Sequence, residues 1–335
     1  MDRPLVAVVL AGGVGSRLYP ASRRHRPKQL LPIAGDDTLL ERTVSRVDFA
    51  DAVVVVTRPD FADAVHDAAP DATVLVEPAG KDTGPALAYA THHVAGAFED
   101  PVVLAVPSDH HVVGDFESAA RRGARVAAET HALVTFGVEP TRADTGYGYL
   151  EPGNEYGDYA EVAAFHEKPD AETAQTYVDR GYYWNAGIFA WTPEAFRAAT
   201  QDTPLAPLLD ALDASKAAAG FDAVDPVSVD YAVLERANDV VTVPLGVEWD
   251  DLGSWDALRR ILSADDDGTV VAGDADVVSL DAEDNVVAGD DVHVSLVGVD
   301  GLTVVAYDDR VLVVPTERAQ QVRDLVAELE RREER

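Results

Sequence analysis

From residue 5 to residue 137 the chain alternates short, continuous Val-rich runs with longer amphipathic or Ala-rich stretches, and this pattern restricts the fold more than any other feature. The runs are residues 5–10, 53–56, 73–76, 102–106 and 132–136. A strand that is apolar at every position has no face to offer water, so both sides of its sheet must be covered. Helices between such strands supply that cover, which predicts a mostly parallel α/β sheet. Residues 38–47 illustrate the helical pieces, with Leu39, Leu40, Val44 and Val47 at helical spacing.

After Gly146 the pattern loosens into hairpin-like pieces: strands at 147–150, 161–166 and 185–191, a helix at 229–236, and strands at 240–243 and 247–249. These read as insertions into the same domain, 1–262. An Asp-rich, Gly-containing stretch at 263–268 marks a boundary. Beyond it a β-rich tail, 270–335, has runs at 277–280, 285–288, 292–297, 302–306 and 311–314. Ala319, Val322, Leu325, Val326 and Leu329 then form a terminal amphipathic helix. The chain shows no internal repeat, and the tail is small for an independent core, so it is expected to pack on the first domain or on a partner subunit.

Charge narrows the function classes. Against 27 Lys plus Arg stand 60 Asp plus Glu, a net charge of −33 over 335 residues. Such a surface does not attract nucleic acid or anionic membrane nonspecifically. With 47% hydrophobic residues the chain has the material for a core, so the acid reads as a solvated coat of the kind expected in salty cytoplasm. Zero Cys excludes disulfides and thiolate chemistry, and no spacing of His residues suits zinc. The N-terminal apolar run enters a glycine loop at once, which points to a soluble, cytoplasmic protein.

That loop, Leu10-Ala11-Gly12-Gly13-Val14-Gly15-Ser16-Arg17-Leu18, follows the first strand directly. A tight strand-to-helix turn explains glycines without any ligand, whereas a phosphate cradle uses them to bring backbone N–H groups close to an anion. Two familiar cradles fail. A dinucleotide fingerprint wants glycine at Leu18 and an acid where the second strand ends in Thr57-Arg58, and a P-loop wants Gly-Lys-Ser/Thr. Five cations follow instead within twelve residues: Arg17, Arg23, Arg24, Arg26 and Lys28. In so acidic a chain this local inversion suits a triphosphate that departs as pyrophosphate.

Taken with Pro20, Ser22-Arg23 and Pro27-Lys28-Gln29, the loop resembles the signature of the sugar-phosphate nucleotidylyltransferases, and most closely their branch that uses GTP and mannose 1-phosphate. Later segments agree: Glu77-Pro78, Pro107-Ser108-Asp109-His110, Thr145 to Tyr149, Glu167-Lys168-Pro169, Asn185 to Phe189, Ser228-Val229-Asp230-Tyr231 and Asp251 to Trp255. The resemblance implies a Rossmann-like nucleotidyltransferase domain of the GT-A-like type, then a tail like a short left-handed β-helix that dimerises the protein. It also implies attack of mannose 1-phosphate on the α-phosphorus of GTP. Arg17, Lys28 and Asp109 would be catalytic. Ala11, Gly12, Gly13, Gly15, Ser16, Arg17, Lys28, Thr83, Pro85 and Ser108 would bind nucleotide; Gly148, Glu167, Lys168 and Asn185 the sugar phosphate; Asp109 and Asp251 Mg²⁺. Lys81, Ala186 and Leu252 stand where the family often has Arg, Ser and Val. The alternatives are a uridylyl- or thymidylyltransferase acting on glucose 1-phosphate and a non-catalytic homologue. A second, isomerase domain is not expected.

Overall fold

The computed structural model describes residues 3–23, 25–33 and 35–333. In chain order its first strands are β1 (Leu5–Leu10), β2 (Ala52–Thr57), β3 (Thr73–Val76), β4 (Val102–Pro107), β5 (His111–Val113), β6 (Leu133–Val138), β7 (Tyr149–Glu155), β8 (Ala160–His166), β9 (Tyr183–Trp191), β10 (Val240–Pro244) and β11 (Glu248–Asp250). The helices among them begin with α1 (Leu39–Arg46), α2 (Ala62–Ala68), α3 (Thr83–Ala97) and α4 (Phe116–Thr130). No helix among the described residues is long and apolar enough to cross a membrane.

By contacts the chain separates into two compact units that do not follow sequence order. One comprises Met1–Gly12, Thr43–Ser108 and Val112–Trp249; the other comprises Gly13–Arg42, Asp109–His111 and Asp250–Arg335. Most of the glycine-and-cation loop thus belongs, by packing, with the C-terminal segment.

The first unit is built on a nine-stranded sheet ordered β3-β2-β1-β4-β9-β6-β10-β8-β7. Pairing is parallel through β3-β2-β1-β4 and again between β6 and β10. The expected parallel order is interrupted by β9, which lies antiparallel between β4 and β6, and by antiparallel β8 and β7 at the far edge. A parallel neighbour needs a long crossover, whereas β7 and β8 return on each other as a hairpin. Leu5 through Val9 of β1 are buried, each contributing about 1.5–3 kcal/mol where the side chain is Val or Leu. Val6 and Val8 join a core that includes Leu87 and Val94 of α3, Trp191 and Phe196. The helix expected at 229–236 is instead a single five-residue π-turn, Asp230–Leu234, closed by Glu235 N donating to Asp230 O at 2.9 Å.

The second unit carries β12 (Val270–Ala272), β13 (Asp276–Leu280), β14 (Val286–Gly289), β15 (His293–Val297), β16 (Leu302–Tyr307) and β17 (Arg310–Pro315). From β12 to β16 successive strands alternate between two sheets, β12-β14-β16 and β13-β15, and β17 returns antiparallel beside β16. Val270 pairs with Val286 and Val286 with Thr303, while Asp276 pairs with His293, all parallel. A structural repeat of 16–17 residues therefore exists where the sequence showed none, a short β-helix. The sequence hides it because equivalent left-handed positions are filled by different residues, Gly268, Asp284 and Gly301 at one turn and Asp281 and Gly298 at another. β14 is buried on both faces: Val286 and Ala288 join Leu18, Leu31, Trp255 and Tyr307 on one side, and Val287 meets Leu296 on the other. The terminal helix is Val322–Glu333, as the spacing predicts.

Candidate active site

In the second unit, the loop closes on itself around Lys28. Gly15 adopts φ +73°, and a Cβ there would lie 2.4 Å from Lys28 Cβ, so glycine is required both for the turn and for the close approach. Lys28 N donates to Val14 O at 3.0 Å, and Ser22 Oγ donates to Gly15 O at 2.5 Å. Gly13 is exposed, with open space around it. Tyr19-Pro20 is a cis peptide. Gly15, Ser16 and Arg17 are half-buried, and Ser16 opens the short turn Ser16–Leu18.

The Lys28 side chain is 6% exposed, and its ammonium lies between two acidic segments: Nζ donates to Asp109 Oδ2 at 3.0 Å and to Asp251 O at 2.6 Å. Burial pushes the Asp109 carboxyl up, but the Lys28 ammonium and His110 more than offset it and hold the group below its ordinary range. The Asp251 carboxylate accepts from Gly253 N at 3.0 Å. Between them Leu252 has φ +48° although it is a buried leucine, backbone strain that fixes the Asp251 turn. A cation already occupies the place beside Asp109 and the Asp251 carbonyl, and the donors are hard oxygens, the class that suits a Mg²⁺-like ion. Among the described residues no group of three or more His, Asp or Glu side chains is placed to hold a metal ion, so a divalent cation here would need phosphate oxygens to complete its shell.

Of the five loop cations, only some face that chemistry. Arg23 donates to Tyr307 O at 3.1 Å and pairs with Asp308 at 3.4 Å, and Arg26 pairs with Asp290 at 3.5 Å, so both tie the loop to the β-helix. Arg24 lies outside the described residues. Arg17 Nη1 donates to Gln320 Oε1 at 3.2 Å, and Gln320 Nε2 to Ser254 Oγ at 2.7 Å. The local inversion of charge is in large part answered by acids of the C-terminal segment, leaving Arg17 and Lys28 as the candidates for substrate phosphate.

In the first unit, Ala11 and Gly12 follow β1. Ala11 N donates to Val56 O, and a Cβ on Gly12 would stand 3.1 Å from Glu77 Oε1. Glu77 closes β3 and is 4% exposed; its Oε2 is buried without a hydrogen-bond partner, and burial pushes its carboxyl up to about 7 despite nearby Arg58. Asp82 caps α3 by accepting from Thr83 N at 2.7 Å, Thr83 Oγ1 accepts from Val229 N, and Gly84 N donates to Val227 O. Pro85 is buried in the first turn of α3. Ser108 is buried too: its N donates to Leu10 O, and its carbonyl accepts from Thr43 Oγ1.

The expected sugar-phosphate residues converge in the same unit. A Cβ on Gly148 would lie 2.8 Å from Glu167 Oε2, so glycine makes room for that carboxylate. Glu167 pairs with Lys168, whose side chain is 59% exposed and whose φ is +41°. Asn185 N donates to Gly148 O at 2.9 Å, and the Asn185 side chain bonds Thr135, Gly187 and Asp230. Trp184 and Tyr147 are core residues, buried edge to face at 5.0 Å. Two acids escaped assignment in the sequence, Glu77 and Asp230; the available signal was a lone acid at the end of an apolar strand and inside the Ser228–Tyr231 segment.

A family model described as nucleotidyl transferase matches residues 6–268, and one described as MannoseP isomerase/GMP-like beta-helix domain matches residues 262–329. The chain is 37% identical over 359 residues to a mannose-1-phosphate guanylyltransferase of Escherichia coli (strain K12), covering 97% of this chain and 73% of the relative. It is 36% identical over 348 residues to the xanthan biosynthesis protein XanB of Xanthomonas campestris, with the same coverage. A crystal structure titled mannose-1-phosphate geranyltransferase, from Thermus thermophilus, superposes with TM-score 0.91 at 34% identity, covering 98% of this chain and 99% of that one.

Proposed function

The chain belongs to the nucleotidyl transferase family, and from that premise we propose that it is a mannose-1-phosphate guanylyltransferase, converting GTP and mannose 1-phosphate to GDP-mannose and diphosphate. The observation that carries the reading is Lys28, a nearly buried ammonium held against Asp109 and the Asp251 carbonyl at the end of a glycine loop. A phosphate oxygen of mannose 1-phosphate forms the new bond to the α-phosphorus, and the bond from that phosphorus to the diphosphate breaks, so negative charge grows on the leaving group. Arg17 and Lys28 answer that charge, Arg by paired N–H donors and Lys as a point charge. The backbone of Gly12, Gly13, Gly15 and Ser16 leaves room for phosphate. Asp109 and Asp251 would hold a Mg²⁺ ion, which would supply neutralisation of phosphate charge. Lys168 takes the phosphate of mannose 1-phosphate, and Glu167, Asn185 and the Gly148 backbone take the sugar.

Guanine is favoured by Glu77. A carboxylate only accepts, and guanine offers N1–H and the 2-amino group side by side, whereas uracil and thymine pair one donor with acceptors. Thr83 and Pro85 lie in the first turn of α3, and Ser108 follows β4 against Leu10. We place the protein in the cytoplasm of a salt-adapted cell. We also propose a homodimer through the β-helix, whose Val278, Leu280, Val297, Val311 and Val313 are exposed; a monomer on sedimentation would refute that. Diphosphate release measured for each of GTP, UTP and dTTP with mannose 1-phosphate and glucose 1-phosphate tests the reaction. Turnover with GTP and mannose 1-phosphate is expected to exceed every other pair; release only with UTP or dTTP overturns the proposal.

A further inference from the structure

Asn185 is held by three partners that leave its amide one orientation. Its Oδ1 accepts from Gly187 N at 3.2 Å and from Thr135 Oγ1 at 2.9 Å, and its Nδ2 donates to Asp230 Oδ1 at 2.9 Å. A backbone N–H can only donate, so the atom facing Gly187 must be oxygen. An ionised carboxylate can only accept, so the atom facing Asp230 must be nitrogen. The two ends agree.

Asp230 comes at a cost. It begins the π-turn Asp230–Leu234, a wider turn than the neighbouring helices and a rare one outside functional sites. Its carboxyl is desolvated, and Glu167 stands near enough to repel it, with Lys168 the cation that favours its charge. The result is a group pushed up to about 6 by burial first and by Glu167. The same amide could be satisfied more cheaply by a neutral acceptor, so the placement calls for a use.

We propose that Asp230 is a positioning residue for the hexose 1-phosphate: by taking one N–H of Asn185 while Gly187 and Thr135 hold its oxygen, it aims the remaining N–H at a sugar hydroxyl oxygen. This rests on the hexose-phosphate reading of Glu167, Lys168 and Asn185 given above. Asp230 itself acts through Asn185, so its removal weakens sugar binding and leaves nucleotide binding in place.

The test compares wild type with Asp230→Ala, Asp230→Asn and Thr135→Val, measuring kcat and KM for each substrate in turn alongside thermal melting. Asp230→Ala is expected to raise KM for mannose 1-phosphate about tenfold while KM for GTP and kcat change less than about twofold. Asp230→Asn keeps an acceptor oxygen and is expected to stay within about threefold of wild type; a purely packing role would not favour it over Ala so selectively. An equal rise in KM for GTP, an unchanged KM for mannose 1-phosphate in folded Asp230→Ala, or no rescue by Asn overturns the proposal. If Asp230→Ala fails to melt cooperatively, Thr135→Val carries the test, with a rise of about threefold expected and an unchanged KM overturning it. Wild type active only with another hexose 1-phosphate refutes mannose as the sugar, and the variants are then read with that sugar. Wild type inactive with every pair overturns both readings.

Discussion

Acids in the two units respond to their surroundings in opposite ways. In the second, Asp109 has the Lys28 ammonium at 3.0 Å and is held below the usual carboxylate range. In the first, Glu77 and Asp230 lack so close a cation and are pushed up to about 7 and about 6 by burial. The chain has 60 acids and room for them on the surface, so burying Glu77 and half-burying Asp109 and Asp230 is not forced by composition. The second unit pairs its acid with the Lys28 ammonium, the arrangement the proposed reaction uses to meet polyanions. The first keeps desolvated acceptors, Glu77 Oε2 without a hydrogen-bond partner and Asp230 held by Asn185, which the proposed reaction turns to a base edge and a sugar. The two halves of the proposed reaction, charge neutralisation and neutral recognition, correspond to the two kinds of acid.

The sharpest way to break this contrast is at Asp109. Asp109→Asn is expected to cut turnover about 10³-fold with the fold intact, and Lys28→Met to cut kcat/KM for GTP about 10²-fold, equivalent to about 2.7 kcal/mol of barrier. Steady-state kinetics with melting controls decides; near-wild-type rates in either variant refute the ion-pair assignment.

Glu77→Gln probes the other kind of acid. Because the folded-state value, about 7, lies above the ordinary 4.5, the folded protein holds this proton more tightly than the unfolded chain. Its contribution to stability is present below about pH 4.5 and is lost as pH rises towards 7. Glu77→Gln is therefore expected to be more stable than wild type at pH 8 by about 1–3 kcal/mol and to narrow the difference at pH 5. An amide presents one acceptor and one donor, so the same variant should lose about tenfold of its preference for GTP over UTP. Denaturation at the two pH values and competition kinetics test both; unchanged base preference would remove Glu77 from recognition.

The smallest expected effect is general to both units. With a net charge of −33, lowering KCl from about 2 M to 0.1 M is expected to lower the melting temperature by several degrees, as screening of the acidic coat is lost. A melting temperature independent of salt would count against salt adaptation.

Much of the fold was legible because continuous apolar runs have few alternatives: β1, β3 and the terminal helix fall where periodicity places them. The insertion of β9 between β4 and β6 was not legible, since an antiparallel and a parallel central strand carry the same apolar run. Among the site residues, Asp109 and Lys28 stood out by motif, and the structure brings them together. Arg23 and Arg26 looked equivalent to Arg17 in the sequence, yet their partners are Asp308 and Asp290, far along the chain.

By itself, the sequence determined what depends on neighbours along the chain: the strand and helix pattern, the glycine that Gly15 must be, the acidic coat and the motifs of a nucleotidyl transferase. Tertiary structure decided which charges are spent and which are kept. An ion pair or a desolvation penalty depends on distances of a few ångströms and on exclusion of water, and neither is written in residue spacing. That is why Lys28 and Asp109 are a pair, why Arg23 is a tie to the β-helix, and why Glu77 and Asp230, unremarkable among 60 acids in the sequence, differ from the rest.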